Sequence, residues 1–246
     1  FVMMSNQPYP KILHADQEHS GLRTAVFTLL FVSLILAFFG LRALLSAGGL
    51  GWVTDYAFAL SCLGAFPVAV GVVWLAEQYM KRYWPSGRTV TLMSNGLSTQ
   101  TEAGSTVTLT KAQGIVPMAW YFDLRGWQRG GRERRVPQNW LCLSVELKAG
   151  KDSIIIFTYL PESRAEGWLA KGNKPTFYQI HPQNVYDNSL RTRLAGPSRP
   201  EIPPDVITGK DGSYWLAERR RWLDGFELPP EEFETFMNHI RTTLKL

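Results

Sequence analysis

Few residues of this chain have the type and spacing that metal chemistry needs, and they lie near its start. The segment HADQEH, from His14 to His19, offers imidazole and carboxylate ligands for a divalent cation. A polar stretch just before an apolar span is more simply a solvated tail, and we favour that interpretation. His181 and His239 have no spaced partner, and Cys62 and Cys142 have no neighbouring ligand. The sequence therefore predicts no metal and no cofactor.

The motifs of common catalytic sites are absent from the sequence. It has no Gly-x-Ser-x-Gly nucleophile elbow, no phosphate loop, no Gly-x-Gly-x-x-Gly and no His-Glu-x-x-His. We therefore expect a protein that is not an enzyme. An enzyme with an unrecognised site stays open as an alternative, and a concave pocket with convergent titratable groups would favour it.

Two clusters of basic and aromatic residues are the most distinctive chemical feature. Arginine forms forked contacts with carboxylates and phosphates and stacks on aromatic rings, so the clusters suit an acidic partner surface or anionic lipid headgroups. A solvated loop that pairs with Glu133 and Glu218 is the alternative, and nucleic acid is not expected. The residues predicted to contact a partner or lipid are Trp120, Tyr121, Arg125, Trp127, Arg129, Arg132, Arg134, Arg135, Arg219, Arg220 and Arg221.

Two uncharged stretches, Thr24–Leu41 and Ala57–Ala76, precede these clusters. The first would make a helix of about 27 Å, close to the hydrocarbon thickness of a bilayer. The glycine-rich segment between them predicts a helical hairpin of two membrane spans over residues 24–76. A pair of buried core helices is the alternative.

The second span carries small residues at every fourth position. These are Ala57, Ser61, Ala65 and Ala69, and such a stripe lets another helix approach closely. The first span of the same chain is the simpler partner, and a helix of another subunit is the sharper hypothesis.

Basic residues flank the hairpin on its outer ends and are absent from its loop. The positive-inside rule therefore predicts an integral inner-membrane protein with both termini and the folded domain in the cytoplasm. Residues 1–23 would be a cytoplasmic tail.

The rest of the chain, 85–246, is long enough for one sizeable core. Residues 1–76 carry three basic and three acidic side chains, so the formal net charge of +5 arises wholly after them. Alternating stretches predict strands, with a hairpin turn at Asn95-Gly96, a strand over 115–124, and a second hairpin over 140–159. The segment 161–170 is expected to be helical, 171–212 a mainly irregular insertion with a short strand over 176–180, and 213–217 a last short strand.

The end of the chain predicts an amphipathic helix. Pro229 and Pro230 open it, glutamates follow in its first turn, and Arg241 and Lys245 complement the dipole at its other end. Its apolar stripe should close over an antiparallel sheet or a small barrel, which makes the cytoplasmic domain α+β in class.

The features that carry a family resemblance are two spans, a meander that begins RTVTLMSNGLS, a later hairpin, and a final helix preceded by GFELPPEEF. In these features the chain resembles the membrane-anchored bacterial pleckstrin-homology-like proteins. The resemblance covers residues 24–246, and it implies a PH-like domain without catalytic activity.

These features predict a non-catalytic accessory or scaffold subunit of a larger membrane protein complex, whose cytoplasmic domain contacts other membrane subunits. A stand-alone module that responds to anionic lipid is the alternative.

Overall fold

The computed structural model describes residues 9–17, 20–48, 51–127, 129–170, 172–186 and 201–246. The chain forms two compact units. One contains residues 17–86, and the other combines the residues up to Asp16 with Gly87–Leu246. The first unit is helical, and the second is rich in β-sheet.

Two long helices build the helical unit. Helix α1 spans Ser20–Ala47, α2 is the short helix Gly51–Asp55, and α3 spans Ala57–Tyr83. The stretches Gly21–Ala47 and Ala57–Lys81 are long and apolar enough to cross a membrane, as predicted. Only 6% and 22% of their most apolar windows are buried, so these helices do not form the buried core that the alternative interpretation requires.

The small-residue stripe of α3 lies inside the hairpin. Ala57, Ser61, Ala65 and Ala69 are each at most 4% exposed, and α3 packs mainly against α1. The Ser61 hydroxyl donates a hydrogen bond to the Ala57 carbonyl oxygen at 2.6 Å. The first span of the same chain therefore occupies the stripe, which presents no free surface to a helix of another subunit.

The first sheet is antiparallel, in the order β1–β2–β3–β4. Strand β1 lies in the segment predicted to be a tail. It pairs with β2, so the helical unit fills the chain between two neighbouring strands. The four residues of β1 are too few for their alternation to be recognised in the sequence. The strands are Lys11–His14 (β1), Thr89–Met93 (β2), Gly96–Gln100 (β3) and Thr106–Thr110 (β4).

The first hairpin turns one residue earlier than the sequence predicts. Met93 lies opposite Gly96, so Ser94 and Asn95 form the turn and Gly96 begins β3. A Cβ atom at Gly96 would lie 2.1 Å from the Leu109 carbonyl oxygen. Glycine is required here by the close approach of β4 rather than by the turn.

The second sheet is mixed, in the order β8–β5–β6–β7–β9. Its three central strands are antiparallel, and the two short outer strands are parallel to their neighbours. The two sheets do not close into a barrel, so that expectation is wrong, whereas the β-rich α+β class is confirmed. The strands are Val116–Asp123 (β5), Trp140–Ala149 (β6), Asp152–Pro161 (β7), Phe177–Gln179 (β8) and Phe226–Glu227 (β9).

The central strands of this sheet are buried on both faces. Leu143 and Val145 of β6 belong to a core shared with the first sheet, whereas Cys142 belongs to a core on the opposite face. Ser144 and Glu146 also lie on that opposite face, and both are fully buried. Polar residues on one side of a strand therefore do not mark a solvent-facing side in this domain.

The predicted C-terminal helix is confirmed, with Pro230–His239 as an α-helix and Ile240–Leu244 as a π-helical turn. Its stripe, which includes Phe233, Phe236 and Met237, is fully buried in the core beneath the first sheet. The helix predicted over 161–170 is present as α4, Glu162–Leu169.

Parts of the predicted irregular insertion are structured. It contains β8 and the short helices α5, Pro182–Val185, and α6, Pro204–Thr208. Residues 171 and 187–200 lie outside the described residues. The short strand predicted over 213–217 is wrong, because this segment belongs to helix α7, Gly212–Asp224. Glu218 and Arg221 lie on the buried face of α7, so hydropathy gave no helical pattern.

Candidate functional site

The two clusters of arginine and aromatic residues meet on one face of the five-stranded sheet. The first comes from β5 and the 3₁₀ turn Gly131–Arg135, and the second comes from α7. Trp120 of β5 donates its indole N–H to the Glu218 carboxylate of α7 at 2.9 Å. Both side chains are fully buried, so the clusters meet inside the protein.

Arg221 lies at the centre of these buried contacts. Its Nε and Nη2 atoms donate to the Glu218 carboxylate, and Nη2 also donates to Glu133, each at 2.8 Å. A weaker bond of 3.3 Å reaches the Tyr159 hydroxyl, and Cζ lies 4.7 Å from the ring centroid of Phe157. Burial by itself lowers the pKa of Arg221, but the charge of Glu218 offsets it, and the pKa stands well above its ordinary value. Arg221 therefore stays charged.

The same environment makes Cys142 unreactive. Burial raises the pKa of the Cys142 thiol to about 12, and only a thiolate acts as a nucleophile or metal ligand. Burial also raises the pKa of the neighbouring Tyr159 well above its ordinary value. Neither group suits acid–base chemistry near neutral pH.

A second ionic group joins the HADQEH segment to the folded domain. The Asp16 carboxylate pairs with Arg88 at 2.5 Å and with Arg132, and the Glu227 carboxylate pairs with Arg135 at 2.5 Å. Asp16 is only 7% exposed, so it belongs to the packed domain rather than to a solvated tail. Burial raises the pKa of Glu227, although the charge of Arg135 opposes the shift.

No metal centre is found within the described ranges, since they hold no group of three or more His, Cys, Asp or Glu side chains that could bind an ion. Glu18 and His19 of the HADQEH segment fall outside those ranges. Asp16, the carboxylate between the two histidines, is held by two arginines instead.

Other members of the clusters are also engaged within the protein. Arg220 forms a bidentate pair with the fully buried Glu146, and both N–O distances are 2.9 Å. Arg129 donates to two backbone carbonyl oxygens of its own loop. Trp127 is buried, and its indole N–H donates to the Asp123 carbonyl oxygen at 3.0 Å.

Five members remain at or near the surface, including Arg135, which is exposed and pairs with Glu227. The Tyr121 hydroxyl donates to Gln179 at 3.0 Å, and the Arg125 side chain is 54% exposed beside acidic neighbours. Arg134 and Arg219 are exposed, and Arg219 forms no ion pair with any residue that the structure describes.

The geometry therefore engages most of the two clusters in contacts within the domain, although only Trp120, Trp127 and Arg221 among them are buried. A side chain such as Trp120 or Arg221 cannot reach a lipid or a partner without a rearrangement of the domain. Glu133 and Glu218 were the signal for this outcome in the sequence. The sequence analysis gave a solvated loop that pairs with these two glutamates as an alternative. In the structure, both glutamates instead form buried ion pairs with Arg221.

The folded domain also has a cleft of about 470 Å³, whose lining includes Arg88, Arg220 and Phe226. Both arginines are already paired, with Asp16 and Glu146 respectively. A smaller recess of about 350 Å³ is lined by Lys174, Arg241 and Lys245, which the sequence did not single out as a site.

No protein-family model, no curated protein and no solved structure matches this chain.

Proposed function

We propose that this chain is a non-catalytic, membrane-anchored accessory or scaffold subunit of a larger membrane protein complex. In this proposal the helical hairpin lies in the bacterial inner membrane, and a PH-like domain faces the cytoplasm and contacts other subunits. The observation that carries the proposal is the outer surface of the hairpin, which is apolar and uncovered.

The uncovered side chains of the hairpin are large and lie on both helices. More than half of the surface of each of the following is exposed: Phe27, Phe31, Leu36, Phe39, Leu63 and Phe66. Apolar area in water costs roughly 25 cal/mol per Å², and contiguous apolar patches of this kind mark contacts with membranes or other proteins. A bilayer covers such a surface on all sides.

The connectivity of the chain supports a domain on one side of the membrane. Strand β1 precedes α1, and β2 follows α3, yet the two strands pair in one sheet. If the hairpin spans a bilayer, both of its ends must therefore emerge on the same side. The basic residues that flank these ends favour the cytoplasmic side.

The internal pairing of the arginine clusters weighs against the lipid-responsive alternative. Arg132, Arg220 and Arg221 have carboxylate partners within the domain, and a neutralised cation adds little to attraction by anionic lipid. The exposed side chains of Arg125, Arg134 and Arg219 remain as the part of the predicted contact surface that a partner subunit can reach.

The proposal is tested by extraction of the full chain from native membranes in mild detergent, followed by mass measurement of the intact particle. We expect a complex that contains other membrane proteins in fixed stoichiometry. The variant with Arg125, Arg134 and Arg219 all changed to glutamate should lose partners while keeping its own fold. A monodisperse monomer under conditions that preserve other membrane complexes would contradict the proposal.

Alkaline extraction of the membranes tests the anchor separately. The full chain should stay in the membrane pellet, because about 20 apolar residues per span resist extraction. Release into the supernatant would contradict the membrane anchor itself.

A further inference from the structure

The smaller recess of the folded domain differs from the arginine clusters in its charge balance. It lies between the loop Gly172–Lys174 and the end of the chain, and its volume is about 350 Å³. Lys174, Arg241 and Lys245 line it. None of the three pairs with a carboxylate of the described residues.

Arg241 is held in place at one side of this recess. Its Nε donates to the Lys174 carbonyl oxygen at 2.7 Å, and its Cζ lies 4.5 Å from the ring centroid of Trp168. Its Nη2 atom is shielded from solvent and has no hydrogen-bond partner among the described residues. An anion placed beside this guanidinium would restore charge compensation that burial has removed.

The dipole of the C-terminal helix accounts for only part of this charge. Arg241 and Lys245 belong to the end of the helix, where cations complement a partial charge of about −0.5. Lys174 comes from a separate loop, so it is not one of the cations that complement the dipole within the helix itself. Leu246 also lines the recess and brings its α-carboxylate. Three full positive charges still outweigh this one negative charge and the partial negative charge of the helix end, so the recess has a net positive charge.

We propose that this recess binds the phosphate group of a phosphate monoester or of inorganic phosphate. Such a group carries a charge of about −1.5 to −2 at neutral pH and offers three strong acceptor oxygens, which suits a recess lined by three cations. The recess has room for a phosphate group with a small substituent. This site shares no residue with the contact surface of Arg125, Arg134 and Arg219 proposed above.

The test uses the full chain in detergent micelles and inorganic phosphate as the probe, followed by phosphorus NMR or calorimetry. The variant K174E/K245E changes two exposed residues and should weaken phosphate binding by about tenfold or more, because each removed cation also adds an anion. The matched control K151E/K210E makes the same change of net charge at two exposed lysines outside the recess and should bind as the unchanged chain does.

A second arm separates the two sources of a phosphate group. The same proteins are titrated with phosphatidic acid, a lipid with a phosphate monoester headgroup, and with phosphatidylcholine as the control lipid. Tighter binding of phosphatidic acid than of inorganic phosphate, lost in K174E/K245E, assigns the site to a lipid headgroup. Equal affinities assign it to a free or soluble phosphate.

Two results would overturn the proposal. One is the absence of binding of either probe to the unchanged chain. The other is an equal loss of binding in K174E/K245E and K151E/K210E, which would reflect net charge alone. Thermal unfolding of the two variants at the same temperature as the unchanged chain shows that a loss of binding in the variants does not come from misfolding.

Discussion

The helical hairpin and the folded domain place their polar and apolar groups in opposite ways. The hairpin keeps small residues inside, such as Ala65 and Ala69, and presents large apolar side chains such as Phe66 to the outside. The folded domain buries charges, with Arg221 between Glu133 and Glu218. Each arrangement is stable only in its own surroundings.

The contrast shows that the two regions have different physical requirements. An uncharged surface that faces outwards needs an apolar medium, because water gives it no compensation. A charged interior needs complete pairing, because burial removes the water that would otherwise solvate each charge. A substitution that breaks one arrangement should leave the other in place.

The change Arg221→Met should have the largest effect. It leaves Glu133 and Glu218 buried without their main cation, and breaking a buried pair in this way costs about 3–5 kcal/mol. Chemical denaturation of the full chain measures the free energy of unfolding of the domain. Arg219→Met, two residues away on the exposed side of the same helix, should change it by less than about 0.5 kcal/mol. Equal effects at the two positions would show that the buried network does not stabilise the domain.

The change Phe66→Arg tests the outer surface of the hairpin. Phe66 is 62% exposed within the chain, and an arginine at the centre of a span raises the apparent insertion free energy by about 2.5–3.5 kcal/mol. We expect a smaller fraction of the chain to resist alkaline extraction from membranes, while Phe66→Leu remains fully integrated. Full integration of both variants would mean that this face does not contact lipid.

The change Ala69→Leu tests the inner surface of the hairpin. Ala69 is fully buried within the helical unit, so added volume must separate the helices, at a cost of about 1–3 kcal/mol. Cysteine cross-linking between α1 and α3 should become less efficient. The matched change Val70→Leu, at a neighbouring position that is 43% exposed, should leave it unaltered, and a similar loss in both variants would contradict the packing of the stripe.

The smallest effect concerns the pH dependence of the folded domain. Burial lowers the pKa of His239 below its ordinary value of 6.5, although a hydrogen bond with the Gly96 carbonyl oxygen opposes the shift. Below that pH the unfolded chain takes up a proton that the folded chain does not bind. Stability should therefore fall as the pH decreases from about 6.5 towards the folded pKa, by at most about 1.4 kcal/mol per pH unit.

The variant His239→Gln should lose this slope, whereas His14→Gln, at an exposed position, should keep it. Denaturation curves recorded over a series of pH values measure the slope directly. An unchanged slope in His239→Gln would assign the pH dependence to other groups.

Periodicity was a reliable guide wherever burial followed hydropathy. The stripe of the C-terminal helix and the alternation of β6 and β7 predicted their elements, because these residues pack one apolar face against a core. The two long apolar stretches predicted the helical unit by their length and lack of charge. In each case the sequence carries the pattern within a short window.

Periodicity failed at two elements that involve buried charged residues. Helix α7 was mistaken for a strand because Glu218 and Arg221 occupy its inner face. The edge strand β1 was mistaken for part of a tail because Asp16, just beyond it, looked solvated, whereas two arginines from distant parts of the chain pair with it.

The amino-acid sequence alone specifies the two apolar helices, the class of the folded domain and the absence of familiar catalytic motifs. These depend on composition and local spacing. Only the tertiary structure decided which arginines are neutralised. Arg221 meets Glu133 across 88 positions of sequence, and Arg241 meets the carbonyl of Lys174 across 67 positions. The pairing of a charge depends on which distant residue the fold brings within a few ångströms, and no local pattern encodes that distance.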